Sequence, residues 1–380
     1  LEHNEAGFKG MEATYTKNVL PLYFGSLANA SASNDYKMAD ELLESINGFQ
    51  KRFGSKVRPS EEKITSEVLY NKYDVFKKLP YWYISASILM LFFTILKIFR
   101  ERKTFNFLVN FMHIVVIGLF VLHTLGLIAR WYISGHAPWS NAYESIIYVG
   151  WATMFFGLAF DRKSKLTVAS SAFVTAMILA AAYMNWIDPE IANLQPVLNS
   201  YWLMIHVAVI VASYGPFALG MILGLVSLLL ILFTTEKNKS KMDLNIQEIT
   251  YINELALTIG LILLTIGNFL GGQWANESWG RYWGWDPKET WALISIMVYA
   301  FVIHARFVPS LRGKWTFNLM SMFAFVSILF TYYGVNFHLV GLHSYASGEA
   351  HSLSWIWYSL GGIALVGAIS YPKYKKYYKK

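Results

Sequence analysis

Residues 201–233 read YWLMIHVAVIVASYGPFALGMILGLVSLLLILF, a run without one Asp, Glu, Lys or Arg. A helix of that length extends about 50 Å at 1.5 Å per residue, more than the roughly 30 Å hydrocarbon layer of a bilayer requires. In lipid such a run has one stable solution, a helix, because every backbone N–H and C=O must be bonded within the segment. Gly215-Pro216 lies in its middle. The missing N–H and the clash of the proline ring predict a kink, or else a projection of the helix above the membrane surface.

Eight further apolar stretches of spanning length flank this one, giving nine in all: 81–99, 105–129, 143–160, 166–184, 201–233, 252–271, 288–307, 315–337 and 353–371. The pattern predicts an all-α integral membrane protein, a polytopic helical bundle of about nine spans over residues 80–380. Composition agrees: 55% of the 380 residues are hydrophobic, 17% aromatic and only 15% charged, which excludes disordered, collagen-like and nucleic-acid-binding chains. Residues 1–79 differ, with balanced charge and interrupted apolar positions such as Leu42, Leu43, Ile46 and Phe49 at helical spacing after Asp40, and read as a short soluble segment of mixed structure. The chain starts at Leu1 without a basic-then-apolar signal, so the reading expects the C-terminal piece of something longer or a processed product.

Orientation follows from the basic residues, which lie between the apolar runs and not in a nucleic-acid patch. Alternating the loops between two sides gathers Lys97, Arg100, Arg102, Lys103, Arg162, Lys163, Lys165, Lys237, Lys239, Lys241, Arg306, Arg312, Lys314, Lys373, Lys375, Lys376, Lys379 and Lys380 on one side. Of the basic residues in 80–380, Arg130, Arg281 and Lys288 alone fall on the other. The first side is therefore assigned to the cytoplasm, with the C-terminus inside and residues 1–79 outside. The external loops are then about 130–142, 185–200, 272–287 and 338–352.

The densest chemical signal lies in the third of these loops, where residues 273–293 read QWANESWGRYWGWDPKETWAL. Five of the fourteen Trp fall here: Trp274, Trp279, Trp283, Trp285 and Trp291. An interfacial aromatic belt explains one or two. Large flat rings spaced by Gly280 and Gly284 in a polar loop point instead to a platform for another flat body. Asp286-Pro287-Lys288-Glu289 reads as a helix start with a capping box, a role that leaves Asp286 close to the platform.

The chain has no Cys, so disulfides, thiolate metal sites and a cysteine nucleophile are absent and any metal falls to His or carboxylate. Among nine His, His206 lies early in the 201–233 span and His343 in the loop after the eighth span, so both reach the external surface of the Trp loop. An ionisable group inside a span is a functional candidate, because it needs a partner in lipid. His304 lies near the cytoplasmic end of the seventh span, too deep to share that site. His113 and His123 are ten residues apart, about 1000° of helix rotation or roughly 80° short of three turns, and face different ways. A flat ligand between imidazoles and Trp faces, without Cys, suggests haem more than zinc or mononuclear copper.

Residues 279–294, WGRYWGWDPKETWALI, closely resemble the tryptophan-rich WWD motif of the haem-handling proteins of cytochrome c maturation. The flanking His206 and His343 match the external histidines of the same pattern. The resemblance covers residues 80–380 and is nearest to System II cytochrome c synthases, in particular the CcsA half, with residues 1–79 as the end of a CcsB-like domain of a fused CcsBA. It implies a bacterial cytoplasmic-membrane enzyme of the holocytochrome c synthase type. Such an enzyme binds ferrous haem b, presents it outside and joins it to the CXXCH cysteines of apocytochrome c. It also implies His206 and His343 as axial ligands of an external haem, and His304 as ligand of a membrane-level haem whose other ligand lies in an N-terminal half. A CcsB-like partner and thiol-reducing proteins are expected with it. Trp274, Trp279, Trp283, Trp285 and Asp286 would then position the haem, with Arg281 and Lys288 as partners for its propionates. The alternatives are a haem exporter or carrier that forms no thioether bonds, a cytochrome b, and a transporter whose Trp only line an interface.

Overall fold

In a computed structural model of the chain, residues 10–100, 102–160, 164–183, 188–191, 200–343 and 352–379 are described. Arg162, Lys163, Lys380, His3, His351 and most of the expected loops 185–200 and 338–352 lie outside the described residues. The structure is 83% helix, and no strand occurs among the described residues. It divides into two compact units, Leu1–Glu67 and Val68–Lys380.

The first unit holds α1 (Met11–Ser33), α2 (Lys37–Phe53) and the start of α3 (Glu61–Tyr73). The segment read as mixed is thus helical where described. Tyr15 of α1 stacks on Phe49 of α2 at 4.9 Å, and its hydroxyl meets Ser45 Oγ at 2.7 Å. Of the apolar α2 positions noted in the sequence, Phe49 lies in the seam of this helix pair, whereas Leu43 is exposed.

The second unit continues with α4 (Val75–Phe99), α5 (Lys103–Ser134), α6 (Ala142–Ala159), α7 (Lys165–Ala181), α8 (Tyr201–Leu232), α9 (Lys239–Trp279) and α10 (Pro287–His304). α11 (Lys314–Leu329) passes through a π turn, Phe330–Gly334, into α12 (Val335–His338), and α13 (Ser354–Tyr377) ends the chain. Each of the nine apolar stretches falls on a helix. Six helical segments are long and apolar enough to cross a membrane: Glu61–Phe99, Lys103–Ser134, Tyr201–Leu232, Lys239–Trp279, Pro287–Phe307 and Lys314–His338. α6, α7 and α13 are outside that set, α7 because it has only 17 residues.

α8 is the spine of this unit, 72% buried over its most apolar window where the other five segments are at most 44% buried. Without a hydrophobic driving force between helices in lipid, close packing depends on small residues and polar bonds. At Gly215 an added Cβ would come within 2.7 Å of the α6 backbone at Ala152 and Thr153, and at Gly220 within 2.5 Å of Leu257 on α9. α8 runs unbroken through Gly215-Pro216, and the glycine there admits a close approach of α6. Asn253 of α9 donates to Asn318 Oδ1 and Ser321 Oγ of α11, both at 3.0 Å, and Asn318 Nδ2 donates to Thr250 Oγ1 at 2.8 Å.

At one end, Arg130 and Glu144 are fully buried and paired at 2.8 Å (Nε to Oε1). The Arg130 guanidinium also donates to the carbonyls of Pro189 and Glu190 at 2.9 and 3.0 Å. Glu144 in turn accepts the Ser140 N–H at 3.0 Å. One buried ion pair therefore joins the end of α5, the approach to α6 and residues 188–191. Its remaining lone pairs and protons are satisfied, which is what makes such a pair tolerable away from water.

Gly220→Leu should force α8 and α9 apart at a cost of about 1–3 kcal/mol, the usual penalty of overpacking. Thermal unfolding of the purified protein in detergent checks this. Gly118→Ala, where a Cβ meets nothing within 4 Å, should leave the midpoint unchanged or raise it.

Candidate functional site

α9 does not stop where the apolar sequence stops. It runs to Trp279 and ends at Gly280, whose φ of 70° makes it a left-handed cap, with its N–H on Asn276 O. Trp274 and Trp279, expected in a loop, are thus on the last turns of a helix, and irregular backbone is confined to residues 280–286. α10 then starts with the expected capping box, Asp286 and Glu289 each accepting from the other's backbone. Trp285, just before it, holds φ at 59° and is 70% exposed, a strained conformation for a bulky side chain.

These helix ends, with the first turns of α6 and α8 and the π turn, enclose a cavity of about 370 Å³, a size common for small-molecule sites. Its walls include His206, His343, Trp274, Trp283, Lys288 and Tyr332.

His206, 6% exposed, directs Nδ1 at the carbonyl of Trp202 four residues back, at 2.8 Å. A carbonyl only accepts, so Nδ1 carries the proton and Nε2 keeps its lone pair. The ring stacks on Trp274 at 5.2 Å and 28°. His343 directs Nδ1 at Asp286 Oδ1, at 2.8 Å, with the same consequence for its Nε2. Trp274, 1% exposed, packs against both rings, its centroid 5.3 Å from that of His343, while Trp279 meets His343 edge-on at 4.8 Å.

Besides the Glu289 N–H of the capping box, Asp286 accepts Lys288 N at 3.0 Å, Leu342 N at 2.6 Å and His343 Nδ1. Burial alone would raise its pKa, but the hydrogen bond from His343 and the backbone N–H groups of Lys288 and Leu342 hold it below the usual carboxylate range. Gly341 makes the approach possible, because a Cβ there would strike the Asp286 carboxylate and lie 2.8 Å from Pro287 Cδ.

Lys288 reaches across to α11, donating from Nζ to Thr331 O at 3.0 Å and Tyr332 O at 3.5 Å. The π turn breaks the regular helical ladder there and leaves these carbonyls able to accept. Tyr332 is held from its other side, donating to Ala142 O at 2.8 Å and meeting Ser145 Oγ at 2.7 Å.

The structure therefore brings together His206, His343, Trp274, Trp283 and Lys288 at one cavity, with Trp279 and Asp286 directly behind His343. Arg281 pairs with Glu289 at 3.3 Å, sits 5.6 Å from the Trp279 ring and is not one of the cavity walls; neither is Trp285. His304 is apart, sixteen residues and about 24 Å further along α10 than Lys288. It is exposed, with Nδ1 on Ala300 O at 2.7 Å. His113 approaches Lys165 Nζ at 3.2 Å and His123 bonds Ile147 O at 3.0 Å, so both are engaged away from the cavity. Sequence reasoning missed Tyr332 and Trp139, both cavity walls. Trp139 stood in a loop already assigned to the same side, whereas Tyr332 was hidden in an apolar span.

Two imidazoles that line one cavity beside Trp rings, each with Nδ1 engaged, fit a metal that arrives with its own equatorial ligands, as a porphyrin iron does. Among the described residues no group of three or more His, Cys, Asp or Glu is placed to hold a bare ion.

Residues 139–343, which begin and end on residues of this cavity, match the family described as Cytochrome C assembly protein. The chain belongs to that family. It is 45% identical over 331 residues to Protein NrfI of Wolinella succinogenes, covering 85% of this chain and 36% of NrfI. It is 34% identical over 267 residues to Cytochrome c biogenesis protein CcsA of Prochlorococcus marinus strain SARG, covering 62% of this chain and 84% of that protein. The chain thus spans about a third of NrfI but most of CcsA. Among solved structures it resembles Cytochrome c Heme Lyase CcmF, with a TM-score of 0.50 and 16% identity over 80% of this chain and 51% of that one, a likeness of fold. The resemblance drawn from the WWD stretch is confirmed at the level of the family: this is a helical protein of cytochrome c biogenesis.

Gly341→Ala should push residues 341–343 off the start of α10 and cost about 1–3 kcal/mol. A lowered unfolding midpoint, together with faster proteolysis after residue 338 than in the unaltered protein, is the expected result.

Proposed function

We propose that the cavity is the external haem site of a cytochrome c synthase. In this reading the protein binds ferrous haem b, with His206 and His343 as axial ligands of its iron, and attaches it to the CXXCH cysteines of apocytochrome c. The observation that carries the reading is the placement of His206 and His343 on one cavity with Trp274 packed against both, each with Nδ1 committed to an acceptor and Nε2 left to bind.

Haem is the substrate here. Each acceptor thiol adds across one vinyl double bond, sulfur to one carbon and hydrogen to the other, with no net oxidation. The protein's part is proximity: Trp274, Trp279 and Trp283 shield the macrocycle, while the imidazoles fill both axial positions and keep oxygen from the iron. Lys288, and Arg281 at the rim, are the cations available to the propionates. Trp285 and Asp286 position the Trp-rich turn. His304 serves a second haem at membrane level, with its other ligand in a CcsB-like half or subunit, and residues 1–79 are the end of that extracytoplasmic domain. The chain crosses a bacterial cytoplasmic membrane nine times, with residues 1–79 and the Trp loop outside and the C-terminus in the cytoplasm. Thiol-reducing proteins keep the acceptor cysteines competent. A carrier that passes haem to a separate chaperone is the competing reading, and only product formation separates the two.

His206→Ala or His343→Ala should abolish attachment, and free imidazole should restore part of it by filling the vacant position. Visible spectra and cytochrome yield read this. Bis-His low-spin haem that converts to a thioether-linked product on a reduced CXXCH peptide supports the synthase; bound haem without transfer supports the carrier; unchanged yield in both variants removes the site assignment.

The absence of Cys makes topology directly testable. Ser278→Cys should react with a membrane-impermeant maleimide added outside intact cells, and Ser310→Cys only after permeabilisation. The reverse pattern overturns the orientation.

A further inference from the structure

The two imidazoles at the cavity are held by different partners. His206 donates to a neutral backbone carbonyl of its own helix, whereas His343 donates to a buried carboxylate on a different element. Resting on the haem-site reading above, we infer that Asp286 is a positioning residue that makes His343 the stronger of two unequal axial ligands. It fixes the ring's tautomer and direction and supplies negative charge behind the iron–nitrogen bond.

The geometry supports this at three points. Asp286 is 6% exposed, so little water competes for or screens its carboxylate. Its Oδ2 takes the Leu342 N–H at 2.6 Å, so the backbone next to His343 is tied to the same group as the ring. Its Oδ1 is shared between Lys288 N–H and His343 Nδ1, so the start of α10 and the ligand move together. A metal-bound imidazole whose second nitrogen donates to a carboxylate is more basic than one donating to a neutral oxygen. It therefore stabilises the more highly charged ferric iron relative to ferrous. On this account the midpoint potential of the bound haem is set at Asp286, and an external reductant must work against it before attachment.

Asp286→Asn separates the electrostatic role from the structural one. Asn caps a helix about as well as Asp, and its oxygen can keep both the Lys288 and the His343 bonds, so the variant removes charge and the Leu342 bond while sparing the helix start. Glu289→Ala removes the other half of the capping box without touching His343. The inference expects Asp286→Asn to retain a bis-His spectrum but to titrate at a higher midpoint potential, with Glu289→Ala, whose carboxylate lines the cavity and holds Arg281 but not His343, shifting it less. It expects Asp286→Ala to lose haem about 10- to 100-fold more readily, with the low-spin spectrum restored by free imidazole. An unchanged midpoint in Asp286→Asn, an equal shift in Glu289→Ala, or haem loss in Asp286→Ala or Asp286→Asn that imidazole does not reverse would each overturn it. If His206→Ala and His343→Ala leave the spectrum of bound haem unaltered, the haem-site reading has failed and this inference with it. If those variants lose the low-spin spectrum and Asp286→Asn shifts nothing, only the role of Asp286 has failed.

Discussion

The Asp286 carboxylate accepts from Lys288 N–H, Leu342 N–H and His343 Nδ1 at once. A buried carboxylate is costly unless its lone pairs are engaged, and here the groups that engage it come from a helix start and from the segment after α12. The arrangement therefore cannot form piecemeal. α10 must begin at Pro287 for the cap to exist, residue 341 must be glycine for the backbone to come close, and His343 follows with its ring already directed. The next residue after the cap, Lys288, carries the same order across to α11 through the carbonyls of the π turn. Tyr332 extends it to α6. A chain of polar bonds thus runs from the Trp-rich turn through three helices, all of it at one end of the bundle.

The opposite wall is positioned by packing. α8 is buried on most sides because small residues let α6 and α9 approach its backbone, and in lipid that intimacy replaces the hydrophobic effect as the source of cohesion. His206 therefore projects from a rigid rod, backed by Trp274 of a helix that α8 contacts along its length. One imidazole rests on a tightly packed core element and the other on a tethered loop segment. That division suits a site that must hold a flat body firmly on one side and still admit and release it from the other.

The fold class was legible because nine apolar stretches admit only helices, and the site because Trp spaced by Gly, with His on both sides, is rare in a polar stretch. Three things were not legible, each for a physical reason. Where α9 ends could not be read, because Gly280 and Gly284 are equally good stop signals and only the backbone shows that Gly280 takes the left-handed conformation. The π turn left no mark, since a one-residue widening inside an apolar span changes neither composition nor period appreciably; Tyr332 and the carbonyls that receive Lys288 were hidden with it. Residues 1–79 looked mixed because the α1–α2 seam is narrow, with Tyr15 and Phe49 meeting across two otherwise exposed helices.

His304 makes the comparison within the chain instructive. Like His206 it turns Nδ1 onto the carbonyl four residues earlier, at 2.7 Å where His206 has 2.8 Å, so both rings are fixed in the tautomer that leaves Nε2 to bind. Their surroundings are opposite. His206 faces a walled cavity with a second imidazole across it, whereas His304 stands on an exposed helix face beside Phe307, at 6.0 Å between ring centroids. The same local device thus leaves one imidazole in a walled cavity at one end of the bundle and another on an exposed helix face, about 24 Å along α10 from Lys288.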